Sequence, residues 1–340
     1  MKSQMIEEAL DAPERVAALM DFEEEYFSEL AAFLRRNPPS AAVTVARGSS
    51  DHAASFFSYL CMLRSGRLVT SLPMSLLTIH NAPIRSSGML VLAISQSGQS
   101  PDVRIPLERL RLGGATTVAL VNDTASPLAN AAEWVVPMSA GPECSVAATK
   151  SFICSLASSA ALIARWGEDH KLLSAVRELP TFLRTACAQN WDDAVEVLRD
   201  AQRIMVIGRG TGLAIAQEAA LKFKETCGIQ AEAFSSAEVR HGPMALVQKG
   251  YPMLVFAPRG PAQADLLAVA REMRQRGARV LLAAPSDVAD RELTLTSTLL
   301  ADLDPIAAVQ SFYVMVEALA RARGNDPDRP LHLQKITSTL

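Results

Sequence analysis

A chain of 340 residues, 49% hydrophobic and 20% charged, carries enough apolar material for two cores of ordinary size and excludes intrinsic disorder. Its formal net charge of −3 and pI near 6.0 exclude a surface built to neutralise nucleic acid or an anionic membrane, so any bound anion has to be held locally. The five cysteines are scattered, with no CxxC pair and no histidine at zinc-ligand spacing, which predicts reduced thiols in a cytoplasmic protein without a metal.

The start, MKSQMIEEALDAPERV, is acidic and lacks the apolar core and small-residue cleavage site of a secretory signal. From Glu14 to Arg36 the apolar residues Val16, Leu19, Phe22, Phe27, Leu30 and Leu34 recur at helical spacing between acidic ones. This predicts an amphipathic helix in an N-terminal segment 1–40. Short β-branched runs follow at 41–46, 67–72, 89–95, 116–122 and 133–138, with helical stretches between them. Continuous apolar runs alternating with helices predict a mainly parallel sheet covered on both faces. The longest apolar stretch, Ser151–Ala164, is shorter than the roughly 20 residues that span a bilayer and reads as a buried helix.

The plan then repeats. Arg47-Gly48 recurs as Arg209-Gly210, Met89-Leu90-Val91 as Met253-Leu254-Val255, and Gly114-Ala115 as Gly277-Ala278, in the same order at near-constant spacing. A duplication follows from this order, with domains at 41–166 and 201–323, a helical linker at 167–200 and a tail at 324–340.

Residues 93–103, AISQSGQSPDV, run from a buried strand through Ser95, Gln96, Ser97, Gly98, Gln99 and Ser100 to Pro101, which opens a helix. Hydroxyls and backbone N–H groups at a helix start, beyond the carboxyl end of a strand, suit a phosphate dianion; a turn that merely caps the helix would read alike. Ser49 and Ser50 in RGSSDH lie at a corresponding strand end, whereas the second copy has PRGPAQ in place of SQSGQS, so one phosphate site per chain is expected. Neither turn is a nucleotide P-loop and no GxGxxG is present. Lys222 and Glu225, three apart on a helix starting near Gly212, could pair a base with an ammonium or form a solvated surface pair. His241, before Gly242-Pro243, fits an acid/base or a local backbone cap, and Lys335 is by default a solvent-facing lysine.

Together RGSSDH, SQSGQSPDV, AGPECSVAATKSF, ALKFKE, AEVRHGPMAL and DPDRPLHLQKITSTL resemble the sugar isomerase (SIS) family. The closer likeness is to the isomerase half of glucosamine-6-phosphate synthase and to SIS-type glucosamine-6-phosphate deaminases. The resemblance implies an α/β fold of two tandem SIS-type, flavodoxin-like, three-layer αβα domains with mainly parallel sheets, and an enzyme needing no cofactor. It places the sugar phosphate on Ser95, Gln96, Ser97 and Ser100, with Ser50 nearby and Val146 and Gln334 completing the substrate contacts. It assigns an enolising carboxylate to Glu225 with Lys222 in support, ring opening to His241 donated by the neighbouring subunit of a homodimer, and a Schiff base with the open-chain ketose to Lys335. The tail would lie over the active site. The chain departs from the synthase pattern: it reaches the repeat by residue 41, which leaves no room for an N-terminal glutaminase, and reads Gly98-Gln99-Ser100 where the family often has SGET or SGDT. The ending Ile336-Thr337-Ser338-Thr339-Leu340 looks more like deaminase tails. The expected reaction is glucosamine 6-phosphate plus water to fructose 6-phosphate plus ammonia, in a cytoplasmic protein with neither nucleic acid nor membrane as partner. The alternatives are a glutaminase-less aminotransferase, a deglycase or isomerase of another sugar phosphate, and a non-catalytic sugar-phosphate sensor.

Overall fold

The computed structural model describes residues 2–335, apart from the side chain of Glu23. The ending Ile336–Leu340 lies outside the described residues. The N-terminal helix predicted as one piece is two, α1 (Gln4–Asp21) and α2 (Glu23–Arg36), parted at Phe22, whose φ of −114° and ψ of 6° leave the helical range. The start of α1 well before Glu14 was not visible in the apolar spacing. Its first N–H groups, of Gln4 and Met5, donate to the Asp328 carboxylate at 2.8 and 2.7 Å, a cap supplied from the far end of the chain.

The first sheet comprises β1 (Ala42–Val45), β2 (Val69–Ser71), β3 (Leu90–Ser95), β4 (Thr116–Val121) and β5 (Trp134–Pro137). Its helices are α3 (Ser49–Ser65), α4 (Ser75–Thr78), α5 (Pro101–Leu112) and α6 (Pro127–Ala131). Four helices follow: α7 (Lys150–Trp166), α8 (His170–Arg177), α9 (Leu179–Cys187) and α10 (Asp192–Leu198). The second sheet comprises β6 (Arg203–Gly208), β7 (Gln230–Ser235), β8 (Pro252–Phe256), β9 (Arg279–Ala284) and β10 (Leu293–Thr294), with α11 (Thr211–Cys227), α12 (Gln263–Gln275) and α13 (Asp304–Ala322).

Every described strand pair is parallel. The orders β2-β1-β3-β4-β5 and β10-β9-β8-β6-β7 are one topology written in opposite directions, the flavodoxin-like order in which the chain reverses direction beside the first strand of each copy. Strands β1, β3 and β4 are buried almost throughout, which is why they read as unbroken apolar runs. Two edge strands escaped the sequence reading: β7 alternates small and polar residues and is half exposed, and β10 has two residues.

The duplication extends to backbone angles. Gly48 precedes α3 at φ 56°, ψ −132°, and Gly210 precedes α11 at φ 59°, ψ −134°; each helix runs 17 residues and ends on a left-handed glycine, Gly66 or Gly228. Such positive φ values are costly for any residue with a Cβ, so the glycine is required at each strand-to-helix turn.

By compactness the chain divides into two units. One holds the first sheet, with Glu14–Glu143, Lys150–Arg177 and the residues from Gln334. The other holds the second sheet, with Cys144–Thr149, Glu178–Leu333 and the residues up to Pro13. The apolar stretch 151–164 forms the buried body of α7. Among the described residues one helix, Ala301–Ala322, is long and apolar enough to cross a membrane, and 89% of its apolar window is buried inside the fold, as in a core helix. There Phe312 of α13 meets Phe223 of α11 edge to face at 5.2 Å.

Candidate active site

In the unit of the first sheet, β3 ends at Ser95 and α5 begins at Pro101, so Gln96–Ser100 form the loop at the carboxyl edge, where β1 and β3 lie side by side. The loop is folded by its own side chains. Ser95 Oγ accepts from the Gly98 N–H at 3.1 Å and Ser97 Oγ from the Gln99 N–H at 3.3 Å. Gly98 sits at φ 62°, and a Cβ there would collide with the Ser126 hydroxyl. Ser95 is buried, while Gln96, Ser97 and Ser100 are half-buried. Ser50, in the first turn of α3, is half-buried at the end of the neighbouring β1. Arg47 from the same turn donates from Nε to the buried Asp102 of α5 at 2.8 Å, a bond that ties the two helix starts together. The arrangement puts hydroxyls, two helix N-termini and a cation at one edge of the sheet, groups that suit an anion.

The second copy keeps the tie and lacks the hydroxyl-rich loop. Arg209 pairs with Asp265 of α12 at 3.5 Å, as Arg47 does with Asp102. Where the first copy has Gln96, the second has Arg259, whose Nε and Nη2 reach the two oxygens of buried Asp304 at 2.8 Å each, while Nη2 also donates to the Thr298 carbonyl at 2.6 Å. The hydroxyl-rich loop is replaced by a bidentate internal ion pair.

In that unit α11 aligns Glu218, Lys222 and Glu225 along one face. Lys222 Nζ lies 3.2 Å from Glu218 Oε1 and 2.6 Å from Glu225 Oε2, with side-chain exposures of 1% for Lys222, 0% for Glu218 and 21% for Glu225. The solvated-pair reading of Lys222 is therefore excluded. Tyr313 of α13 donates its hydroxyl to Glu218 Oε1 at 3.0 Å. Burial alone would lower the Lys222 pKa, but the charges and hydrogen bonds of Glu218 and Glu225 outweigh it and raise the value above the ordinary lysine range. Glu225, the exposed end of the row, opens on a pocket of about 390 Å³ lined also by Lys224, Thr226, Asn325 and Arg329.

His241 is exposed at the end of a short 3₁₀ turn, Glu238–His241, and Val146 is half-buried with its N–H 3.4 Å from the Asp328 carbonyl. Both belong to the unit of the second sheet, with Lys222 and Glu225. Gln334 and Lys335 belong to the other unit, with Ser50 and the serine loop. Gln334 is exposed. Lys335 is not simply solvent-facing: its Nζ lies 3.1 Å from Glu143 Oε2. Glu143 lies inside the quoted motif AGPECSVAATKSF and Glu218 one turn before Lys222, but neither was singled out, because burial gives Glu218 its weight and the partners of Glu143 and Tyr313 lie far along the chain.

The model of the family described as SIS domain matches residues 39–165 and 197–321, one match over each sheet. The chain belongs to the SIS domain family. Curated SIS relatives include the glutamine–fructose-6-phosphate aminotransferase (isomerizing) of Zymomonas mobilis, 34% identical over 275 residues, and that of Sulfurisphaera tokodaii, 33% identical over 302 residues. These alignments take in 75% and 86% of this chain but 45% and 49% of the relatives, so the chain spans about half their length. Among solved structures, a candidate phosphosugar isomerase from Silicibacter pomeroyi is 41% identical with a TM-score of 0.91, over 96% of this chain and 100% of that one. The C-terminal domain of glucosamine-fructose-6-phosphate aminotransferase from Francisella tularensis has a TM-score of 0.86 at 24% identity over 97% and 99% of the two chains, and glucosamine-6-phosphate deaminase from Thermotoga maritima 0.79 at 20% over 99% and 100%. At those identities the last two speak for the fold alone.

Proposed function

We propose that this SIS chain is a phosphosugar isomerase that acts on an amino-sugar phosphate, converting glucosamine 6-phosphate and water to fructose 6-phosphate and ammonia. The observation that carries the reading is Lys222, fully buried between two carboxylates of which one, Glu225, reaches a pocket. A row of buried charge is expensive to keep, and ending it on an accessible carboxylate suits a group that must move a proton.

In this reading the loop Ser95–Ser100 and Ser50 take the phosphate, with Val146 and Gln334 as further substrate contacts. His241, donated by the neighbouring subunit of a homodimer, protonates the ring oxygen as the sugar opens. Glu225 removes the proton from C2 of the open-chain aldehyde and returns one to C1, so the 2-amino aldose becomes a 2-imino ketose. Water adds to the imine and ammonia leaves. The carbon skeleton is neither oxidised nor reduced overall, so the proton shift needs no redox cofactor. Lys222 holds the Glu225 carboxylate in place and offers positive charge to the enolate oxygen. The tail from residue 324 belongs to the same site in this proposal.

The aminotransferase names of the curated relatives favour a second reading, in which ammonia and fructose 6-phosphate combine in the reverse direction. One assay separates them. Ammonia release is measured from a panel of 2-amino-2-deoxy sugar phosphates, alongside glucosamine 6-phosphate formation from fructose 6-phosphate and ammonium. Release from the glucosamine compound at a turnover above the reverse rate is the expected result. Binding without turnover across the panel would leave a sensor and overturn the enzyme reading.

A further inference from the structure

Glu143 lies between β5 and α7, and its side chain is fully buried. Its Oε1 accepts from the Ser151 N–H at 3.0 Å, and its Oε2 accepts from the Ser151 hydroxyl at 2.6 Å and from Lys335 Nζ at 3.1 Å. Ser151 stands in the first turn of α7, so the carboxylate occupies the N-terminal end of a 17-residue helix, where backbone donors and the helix dipole favour negative charge. A carboxylate bound on both oxygens in the interior cannot swing, and an ammonium bonded to it is held at one place. The residues from Leu331 to Gln334 are exposed and Lys335 is half-buried, so its ammonium reaches inward from a surface segment.

We propose that Glu143 is the positioning residue for Lys335. The inference rests on the reading of Lys335 as the amine that adds to the ketose carbonyl. In that step the ammonium releases a proton to solvent, the amine lone pair forms the C–N bond at C2 while the carbonyl oxygen is protonated, and loss of water gives the imine. Capture is fast only where the nitrogen already waits in place. Glu143 supplies that placement, and Ser151 fixes Glu143.

The full chain is incubated with fructose 6-phosphate and sodium borohydride, the adduct at Lys335 is quantified by peptide mass spectrometry, and amide exchange is followed over residues 329–335. Glu143→Gln keeps the size and an acceptor for Ser151 but removes the counter-charge. It is expected to lower the rate of adduct formation by roughly tenfold to a hundredfold, the range for loss of one charge-assisted hydrogen bond, and to speed exchange in the tail. Wild-type adduct formation and exchange in this variant would overturn the positioning role while leaving the Schiff-base reading intact. No adduct in the wild-type chain, together with faster tail exchange in Glu143→Gln, would overturn the Schiff-base reading and leave Glu143 as the anchor of the tail. Should Glu143→Gln fail to fold for want of its cap on α7, Lys335→Gln breaks the same pair from the other side, and unchanged exchange at 329–334 there would sink the proposal.

Discussion

At the scale of single residues the charge row on α11 is the feature with most at stake. Removing Lys222 takes the ammonium away from both Glu218 and Glu225, and the loss of one partner from a buried pair costs about 3–5 kcal/mol. Lys222→Met is therefore expected to lower the free energy of unfolding by that amount in a urea titration, and Tyr313→Phe by about 1 kcal/mol, since Glu218 loses the hydroxyl bond and keeps the Lys222 ammonium. The raised pKa of Lys222 sets the sign of the pH dependence. Its contribution is complete below the unfolded lysine value, near 10.4, and is lost as pH rises through the still higher folded value, so this group adds no slope to stability between roughly pH 6 and 9. Glu225→Gln tests the chemistry. It keeps the shape and removes the proposed base, so solvent deuterium exchange at the sugar carbon should slow by about two to four orders of magnitude with little change in sugar-phosphate affinity. Wild-type exchange in the variant would move the base elsewhere, to Glu238 or His241.

At the scale of elements the proposed phosphate loop and its glycines decide. Gly48 and Gly98 both have positive φ, but a side chain at Gly48 meets nothing within 4 Å, whereas one at Gly98 meets Ser126. Gly48→Ala should cost about 1–3 kcal/mol from backbone strain alone. Gly98→Ala adds a collision that displaces the loop, so the affinity for inorganic phosphate should fall as well, by more than the roughly tenfold to hundredfold expected for Ser97→Ala. Calorimetric titration of both variants checks this, and equal phosphate affinity in Gly98→Ala and wild type would remove the loop from the site. The strand-loop-helix pattern around 89–101 was readable because aliphatic runs, serines and a helix-opening proline each carry a local signal. The early start of α1 and the edge strands β7 and β10 were not, because their hydrogen bonds come from distant partners, and the break at Phe22 was not, because the apolar spacing runs across it unchanged.

At the scale of the whole molecule one fold occurs twice, with the same strand order and glycine turns but different side chains in the corresponding loop. Prediction follows from the Arg259–Asp304 pair, which fills the second copy. Arg259→Ala leaves Asp304 buried without its cation and should destabilise the protein by up to about 3–5 kcal/mol in thermal and urea unfolding, with phosphate stoichiometry still one per chain. A second phosphate bound by the wild-type chain would contradict the division of labour. The sequence by itself determined the family, the α/β class, the duplication and the serine loop, because apolar period, turn residues and motif order are properties of neighbouring positions. It also put Lys222 and Glu225 on one helix face. Only the tertiary structure decided that Lys222 is buried and charged, that Tyr313 and Glu218 complete its shell, and that Lys335 ends on Glu143. Burial and pairing depend on what the rest of the chain packs over a residue, and Glu143 and Lys335 are separated by 192 positions.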